Sequence, residues 1–139
     1  RVLSIAYLAL IKPEQDLVAA TDALTAEWKA TDALPELAFD HKEIINDALQ
    51  QLRYEIQTTN IAYQILSERF TLTELQELYQ KILEKDLDKR NFRKRLKELD
   101  MLKETLETKM QGAHRPALLY TFKNKTYTSI KEKIHVFLH

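Results

Sequence analysis

The sequence predicts an α+β fold, in which a strand-rich first part is followed by helices and a hairpin. Residues 2–11 are nearly continuously apolar, as in a strand that is covered on both faces. Helix start signals follow at Asp40, Thr71 and Asp88, each ahead of apolar residues at helical spacing. Alternating residues on both sides of the single glycine then predict a hairpin.

The composition limits the chemistry that the chain can support. Its 139 residues, 45% of them hydrophobic, can bury the core of one ordinary domain or two small ones. The absence of cysteine excludes a disulfide framework and a cysteine nucleophile, and one glycine cannot form a phosphate-binding loop. No apolar run is long enough to span a bilayer and no signal-peptide pattern is visible. We therefore expect a cytoplasmic location and no membrane partner.

The first part is predicted to contain short strands and one helix. The strands are expected at residues 2–11, 17–20 and 26–29. Asp40 and Glu43 have the spacing of a capping box, which predicts a helix that ends near Gln57. Thr58, Thr59 and Asn60 are polar and predict a boundary, so that residues 1–58 form one unit.

The second part, residues 59–122, has the element order of a winged helix-turn-helix. Its predicted elements are a short helix at 61–67, a helix opened by a Thr71–Glu74 capping box, a helix at 89–100, and strands at 102–107 and 117–122 joined by a turn at 108–116. Residues 123–139 are expected to form a tail.

The helix at 89–100 is strongly basic. Residues 88–97 carry six basic side chains and one acidic one, although the whole chain has a formal net charge of zero. If Phe92 sets the direction of the core on a helical wheel, Arg90 and Lys94 lie about 160° away from it. The face that points outward is therefore cationic, which indicates an anionic partner; a merely solvated face is the alternative.

Double-stranded DNA is the partner that this arrangement predicts. A helix fits the major groove, where Arg90 and Arg93 suit guanine edges and Asn91 suits adenine. Lys94 and Lys97 are better placed for phosphates. The remaining candidates are Lys89 at the start of the helix, and Lys109, His114 and Arg115 in the wing.

Several segments resemble the Nudix-related transcriptional regulators (NrtR-like). They are residues 70–76 (FTLTELQ), 87–96 (LDKRNFRKRL), 112–117 (GAHRPA) and 119–122 (LYTF) in the second part, and 2–10 (VLSIAYLAL) and 34–41 (LPELAFDH) in the first. The resemblance covers about residues 1–122 in the same order. It implies that residues 1–58 are the C-terminal portion of a Nudix-like domain that senses an effector and dimerises.

The resemblance also implies a function. Members of this family are bacterial repressors that bind a palindromic operator as homodimers and release it on binding a small ligand, an ADP-ribose-like nucleotide or a sugar. The glutamate-rich Nudix box that binds magnesium is absent from this sequence, so the chain looks truncated at its N-terminus. We therefore expect no hydrolysis by this chain, no catalytic residue, no metal ligand and no cofactor.

Two alternatives stay open from the sequence. In one, the chain is a fragment of a Nudix hydrolase whose winged helix is a protein-interaction module; in the other, it is a structural fragment that binds nothing. Tyr7 and Trp28 are candidates for lining an effector pocket, although aromatic residues more often belong to the core.

Overall fold

The computed structural model describes residues 5–12, 25–110 and 116–130. In these ranges the elements are α1 (His41–Thr58), α2 (Ala62–Ile65), β1 (Phe70–Thr71), α3 (Leu72–Leu83), α4 (Lys89–Leu99), β2 (Leu102–Lys109) and β3 (Ala117–Phe122). The order confirms the α+β class and the predicted sequence of helices and hairpin. None of the helices in the described ranges is both long and apolar enough to cross a membrane.

The strands form one antiparallel sheet in the order β1–β3–β2. Phe70 is opposite Tyr120, and Leu102 is opposite Phe122. The pairing of β2 with β3 is irregular between Glu104 and Thr108. Irregularities of this kind usually increase the local twist of a hairpin.

The core lies between the helices and the sheet, and α4 contributes its predicted apolar stripe. Phe92, Leu96 and Leu99 are buried, and the ring of Phe92 lies 5.4 Å from that of Tyr79 in an edge-to-face arrangement. The other members of the core are Ile56, Ala62, Phe70, Leu75, Met101 and Phe122. Because burial of this stripe fixes the rotation of α4, the opposite face of the helix is turned to solvent.

Two of the three predicted N-caps are confirmed. Thr71 and Glu74 form a reciprocal capping box at the start of α3. Asp88 Oδ1 accepts a hydrogen bond from Asn91 N, 2.8 Å away, at the start of α4. The prediction for Asp40 is wrong, because its side chain makes no capping hydrogen bond to α1.

The predicted strands of the first part are wrong where the structure describes them. Residues 5–12 and 25–30 contain no strand, and most of these side chains are exposed. A nearly continuous apolar strand needs paired neighbours and cover on both faces. The described residues provide neither for this segment. The predicted strand at residues 17–20 lies outside the described residues.

Residues 123–130 pack against the junction of α1 and α2. Asn60, only 4% exposed, donates from Nδ2 to the carbonyls of Asn124 and Thr126, at 3.1 and 2.9 Å. Its Oδ1 accepts from Thr128 N at 2.8 Å, and Ile130 N donates to Thr58 O at 2.7 Å. The first part of the tail is therefore tied to the residues that connect α1 to the winged helix.

Candidate nucleic-acid interface

The turn between α3 and α4 is held by two glutamines of α3. Gln76 Nε2 donates to the carbonyl of Leu87 at 2.7 Å, and Leu87 N donates to Gln80 Oε1 at 3.0 Å. These bonds satisfy the backbone of the residue that precedes the N-cap of α4. The orientation of α4 therefore depends on side chains of α3 as well as on the apolar core.

The outward face of α4 carries exposed cations. Lys89, Arg90, Asn91, Arg93, Lys94 and Lys97 are all exposed. Within the described ranges no ion pair joins Arg90, Arg93, Lys94 or Lys97 to an acid, whereas Arg95 pairs with Glu98 at 3.2 Å. The positive charge of this face is therefore available to a partner.

A groove of about 260 Å³ runs between α4 and the wing strands. Arg93 and Lys97 line one side of it, and Glu104 and Tyr120 line the other. Tyr120 OH lies 3.3 Å from Glu104 Oε1 and donates to it. Burial and the Glu104 carboxylate raise the pKa of Tyr120, and Arg93 partly opposes them. The sequence predicted neither Glu104 nor Tyr120 as part of this surface, because their pairing depends on the register of the hairpin.

The wing candidates differ in what surrounds them. Lys109 Nζ contacts Glu74 Oε1 at 2.6 Å, although its side chain stays more than half exposed. His114 and Arg115 lie outside the described residues. To contact a phosphate, Lys109 would therefore have to give up its ion pair with Glu74 or bind both groups at once.

The two effector candidates lie on the surface of the described structure. Tyr7 is 89% exposed and Trp28 is 59% exposed. Side chains that line a ligand cavity are usually more enclosed than this. Their proposed contact with an effector stays a prediction. In the described part of the chain no cluster of three or more acidic or histidine side chains has the arrangement of a metal site.

Comparison with known proteins relates this geometry to a family. Residues 62–122 match the family model of the NrtR DNA-binding winged helix domain. The chain is 34% identical over 127 residues to the ADPR responsive transcriptional repressor NtrR of Acinetobacter baylyi, a match that covers 90% of this chain and 50% of that protein. It thus spans about half the length of this curated relative.

Two solved structures give the same relationship. Shewanella oneidensis NrtR complexed with a 27mer DNA is 30% identical, with a TM-score of 0.55, over 73% of this chain and 43% of that one. A second crystal structure of NrtR from the same organism is 35% identical, with a TM-score of 0.53, over 63% of this chain and 39% of that one. Residues 62–122 are therefore similar to the NrtR DNA-binding winged helix domain, and the chain is similar in sequence and in fold to proteins of that name.

Proposed function

We propose that this chain is the DNA-binding part of a bacterial transcriptional repressor whose operator affinity is controlled by ADP-ribose or a related small ligand. A relative that is named as an ADPR responsive repressor and a structural neighbour that was crystallised with DNA support this proposal. In this proposal the whole protein binds a palindromic operator as a homodimer. Residues 1–58 contribute to effector sensing and dimerisation, and the chain itself catalyses no reaction.

One observation carries the DNA-binding part of the proposal. α4 presents several exposed cations that no acid neutralises within the described residues, opposite a stripe that is anchored in the core. A major groove about 12 Å wide admits a helix of this kind. DNA carries dense negative charge, so an unpaired cationic face gains more from it than from a neutral protein surface.

The candidate residues divide into two roles by position on α4. Arg90, Asn91 and Arg93 lie in the first half of the helix and are proposed to read base edges. Lys94 and Lys97 lie in the second half and are proposed to contact phosphates. Lys89 flanks the first group. In the wing, Lys109, His114 and Arg115 are proposed to hold the neighbouring DNA backbone.

Two variants test this division. Arg93→Ala should weaken operator binding by about 1–3 kcal/mol and relax the preference at one base pair. Lys97→Ala should weaken binding to all duplexes about equally and reduce the salt slope by about 0.9. Fluorescence anisotropy on an operator selected from a random duplex pool, and on a scrambled duplex, measures both effects.

Lys42→Ala provides a charge-matched control, because Lys42 is exposed on α1. It should change neither affinity nor specificity. Binding of the unaltered protein that does not depend on salt would contradict the proposal and favour a protein-interaction module.

For the sensing part, ADP-ribose added to the full-length protein should release the operator.

A further inference from the structure

The groove between α4 and the wing contains a carboxylate, that of Glu104, which takes part in no ion pair among the described residues. Glu104 lies directly opposite Tyr120 in the β2–β3 ladder, and the tyrosine hydroxyl is its hydrogen-bond donor. In the described part of the chain Glu104 is in no ion pair, whereas Asp100 of the same groove pairs with Lys123 at 2.7 Å. The Glu104 carboxylate therefore lines the same groove as Arg93 and Lys97.

The lining of the groove is partly apolar. Leu72, Leu96 and Leu102 also line the groove. Glu104, Arg93 and Lys97 are themselves exposed, so their mutual interaction is that of surface charges and is screened by salt. A phosphate that enters the groove toward Arg93 meets the Glu104 carboxylate as well. A base edge carries no net charge and meets no comparable repulsion.

We propose that Glu104, held by the hydroxyl of Tyr120, is a specificity-determining residue that keeps Arg93 away from phosphates and available for base edges. This inference rests on the proposed DNA-binding function. Nonspecific binding comes almost entirely from phosphate contacts, whereas specific binding adds contacts to bases. A fixed negative charge beside a base-reading arginine therefore weakens the nonspecific complex more than the specific one, which is how repulsion produces discrimination.

The arrangement also keeps the carboxylate in place. Glu104 and Tyr120 are paired through the strand backbone, so their side chains are on the same face of the hairpin. The Tyr120 hydroxyl then donates to Glu104 Oε1 from the neighbouring strand, at 3.3 Å. Arg93 lines the same groove, but no Arg93–Glu104 contact lies within ion-pair distance in the described structure.

Glu104→Gln is the main test, since it removes the charge and keeps the size of the side chain. It should tighten binding to a scrambled duplex by about 3–10-fold and change operator binding by less, so that the specificity ratio falls. The salt slope on scrambled DNA should steepen by about 0.9, the value for one added phosphate contact. Tyr120→Phe should change the ratio in the same direction but by a smaller factor.

Glu107→Gln is the matched control, because Glu107 is on the same strand but bonds to Arg69. Equal tightening on both duplexes, or the same effect from Glu107→Gln, would overturn the inference and leave only a change of net charge. If the unaltered protein binds no DNA at all, the proposed function fails instead, and the two failures are thereby distinguished. Thermal unfolding of each variant identifies any loss of folding.

Discussion

The carboxylate of Glu74 joins three parts of the winged helix domain. Its Oε2 accepts a hydrogen bond from Thr71 N at 2.7 Å, and its own backbone N donates to Thr71 Oγ1 at 3.1 Å. Its Oε1 contacts Lys109 Nζ at 2.6 Å, at the far end of β2. One side chain thus closes the first turn of α3 and links that helix to the wing.

This position gives a prediction for the dependence of stability on pH. Burial raises the pKa of Glu74, but the hydrogen bonds from Lys109 and Thr71 outweigh burial, so the pKa is lower than the ordinary 4.5. A lowered folded-state pKa stabilises the protein above the ordinary value, and this contribution is lost as pH falls through the folded-state pKa. The free energy of unfolding should therefore fall below about pH 4.5 more steeply in the unaltered protein than in Glu74→Gln.

Urea unfolding at a series of pH values measures the difference between the two proteins. Glu77→Gln serves as the control, because Glu77 is exposed on the same helix. It should follow the unaltered protein. Parallel curves for Glu74→Gln and the unaltered protein would mean that the carboxylate contributes nothing through its charge.

At the level of elements, the three helix starts show what a sequence pattern can and cannot predict. Thr71 and Asp88 have extended backbones, with ψ of 156° and 123°, and both side chains cap their helices. Asp40 has ψ of 8°, and its side chain caps nothing. An N-cap side chain reaches the free amides only from an extended backbone. The residue types were right at all three positions, but the backbone conformation is set by what precedes the helix.

The candidate interface was predictable from the sequence only in part. The cationic face of α4 follows from helical spacing alone, because Phe92, Leu96 and Leu99 define the buried side. Glu104 and Tyr120 could not be placed beside that face, since their pairing depends on the register of the hairpin. A turn of several residues leaves that register open.

The turn before α4 gives a prediction about how that helix is held. Gln80→Ala removes the acceptor for Leu87 N, which is 3.0 Å from Gln80 Oε1. The loss should cost about 0.5–1.5 kcal/mol of folding free energy. Because the same bond helps to orient α4, operator affinity should fall as well. Chemical unfolding and anisotropy on the operator measure the two effects.

Gln50→Ala, at an exposed position of α1, is the matched control and should change neither quantity. A Gln80→Ala protein that loses stability and keeps full operator affinity would show that the core alone orients α4.

At the scale of the whole molecule, the C-terminal part of α1 contacts the winged helix through Arg53 and Ile56. Arg53 Nη2 pairs with Glu84 Oε1 at 2.7 Å, and Arg53 Nε donates to the carbonyl of Ile82 at 3.1 Å, both at the end of α3. Ile56 of α1 lies in the core of the winged helix. A change in the orientation of α1 would therefore act directly on α3, against which α4 packs.

The unit boundary at residue 58 stays a prediction, and the structure explains why sequence alone is a weak guide there. Thr58, Thr59 and Asn60 are polar, as in a linker, yet all three are buried. Thr59 bonds locally to Glu55, but the carbonyl of Thr58 accepts from Ile130 N, and the Asn60 side chain bonds to residues 124–128, more than sixty positions away. Contacts at such a separation leave no periodic signal in the sequence.

Substitution of Asn60 tests the contact between residues 58–60 and residues 124–130 directly. Asn60→Ala removes two bonds from Nδ2 to carbonyls and one from Thr128 N to Oδ1, all in a buried site. Each buried group that is left unpaired costs about 1–3 kcal/mol, so the variant should be much less stable than the unaltered protein. Amide exchange at Ile130, whose N–H bonds to Thr58, should also become faster.

Asn124→Ala is the control for Asn60→Ala, because it also removes an amide side chain, but from an exposed position. The side chain of Asn124 is exposed and bonds to Thr126 and Thr128, so water can replace its partners. We therefore expect a loss of less than about 1 kcal/mol for Asn124→Ala in urea unfolding. Equal losses for the two variants would show that the buried site adds nothing. A larger loss for Asn60→Ala, with faster exchange at Ile130, would establish that this side chain holds the segment after β3 against α1.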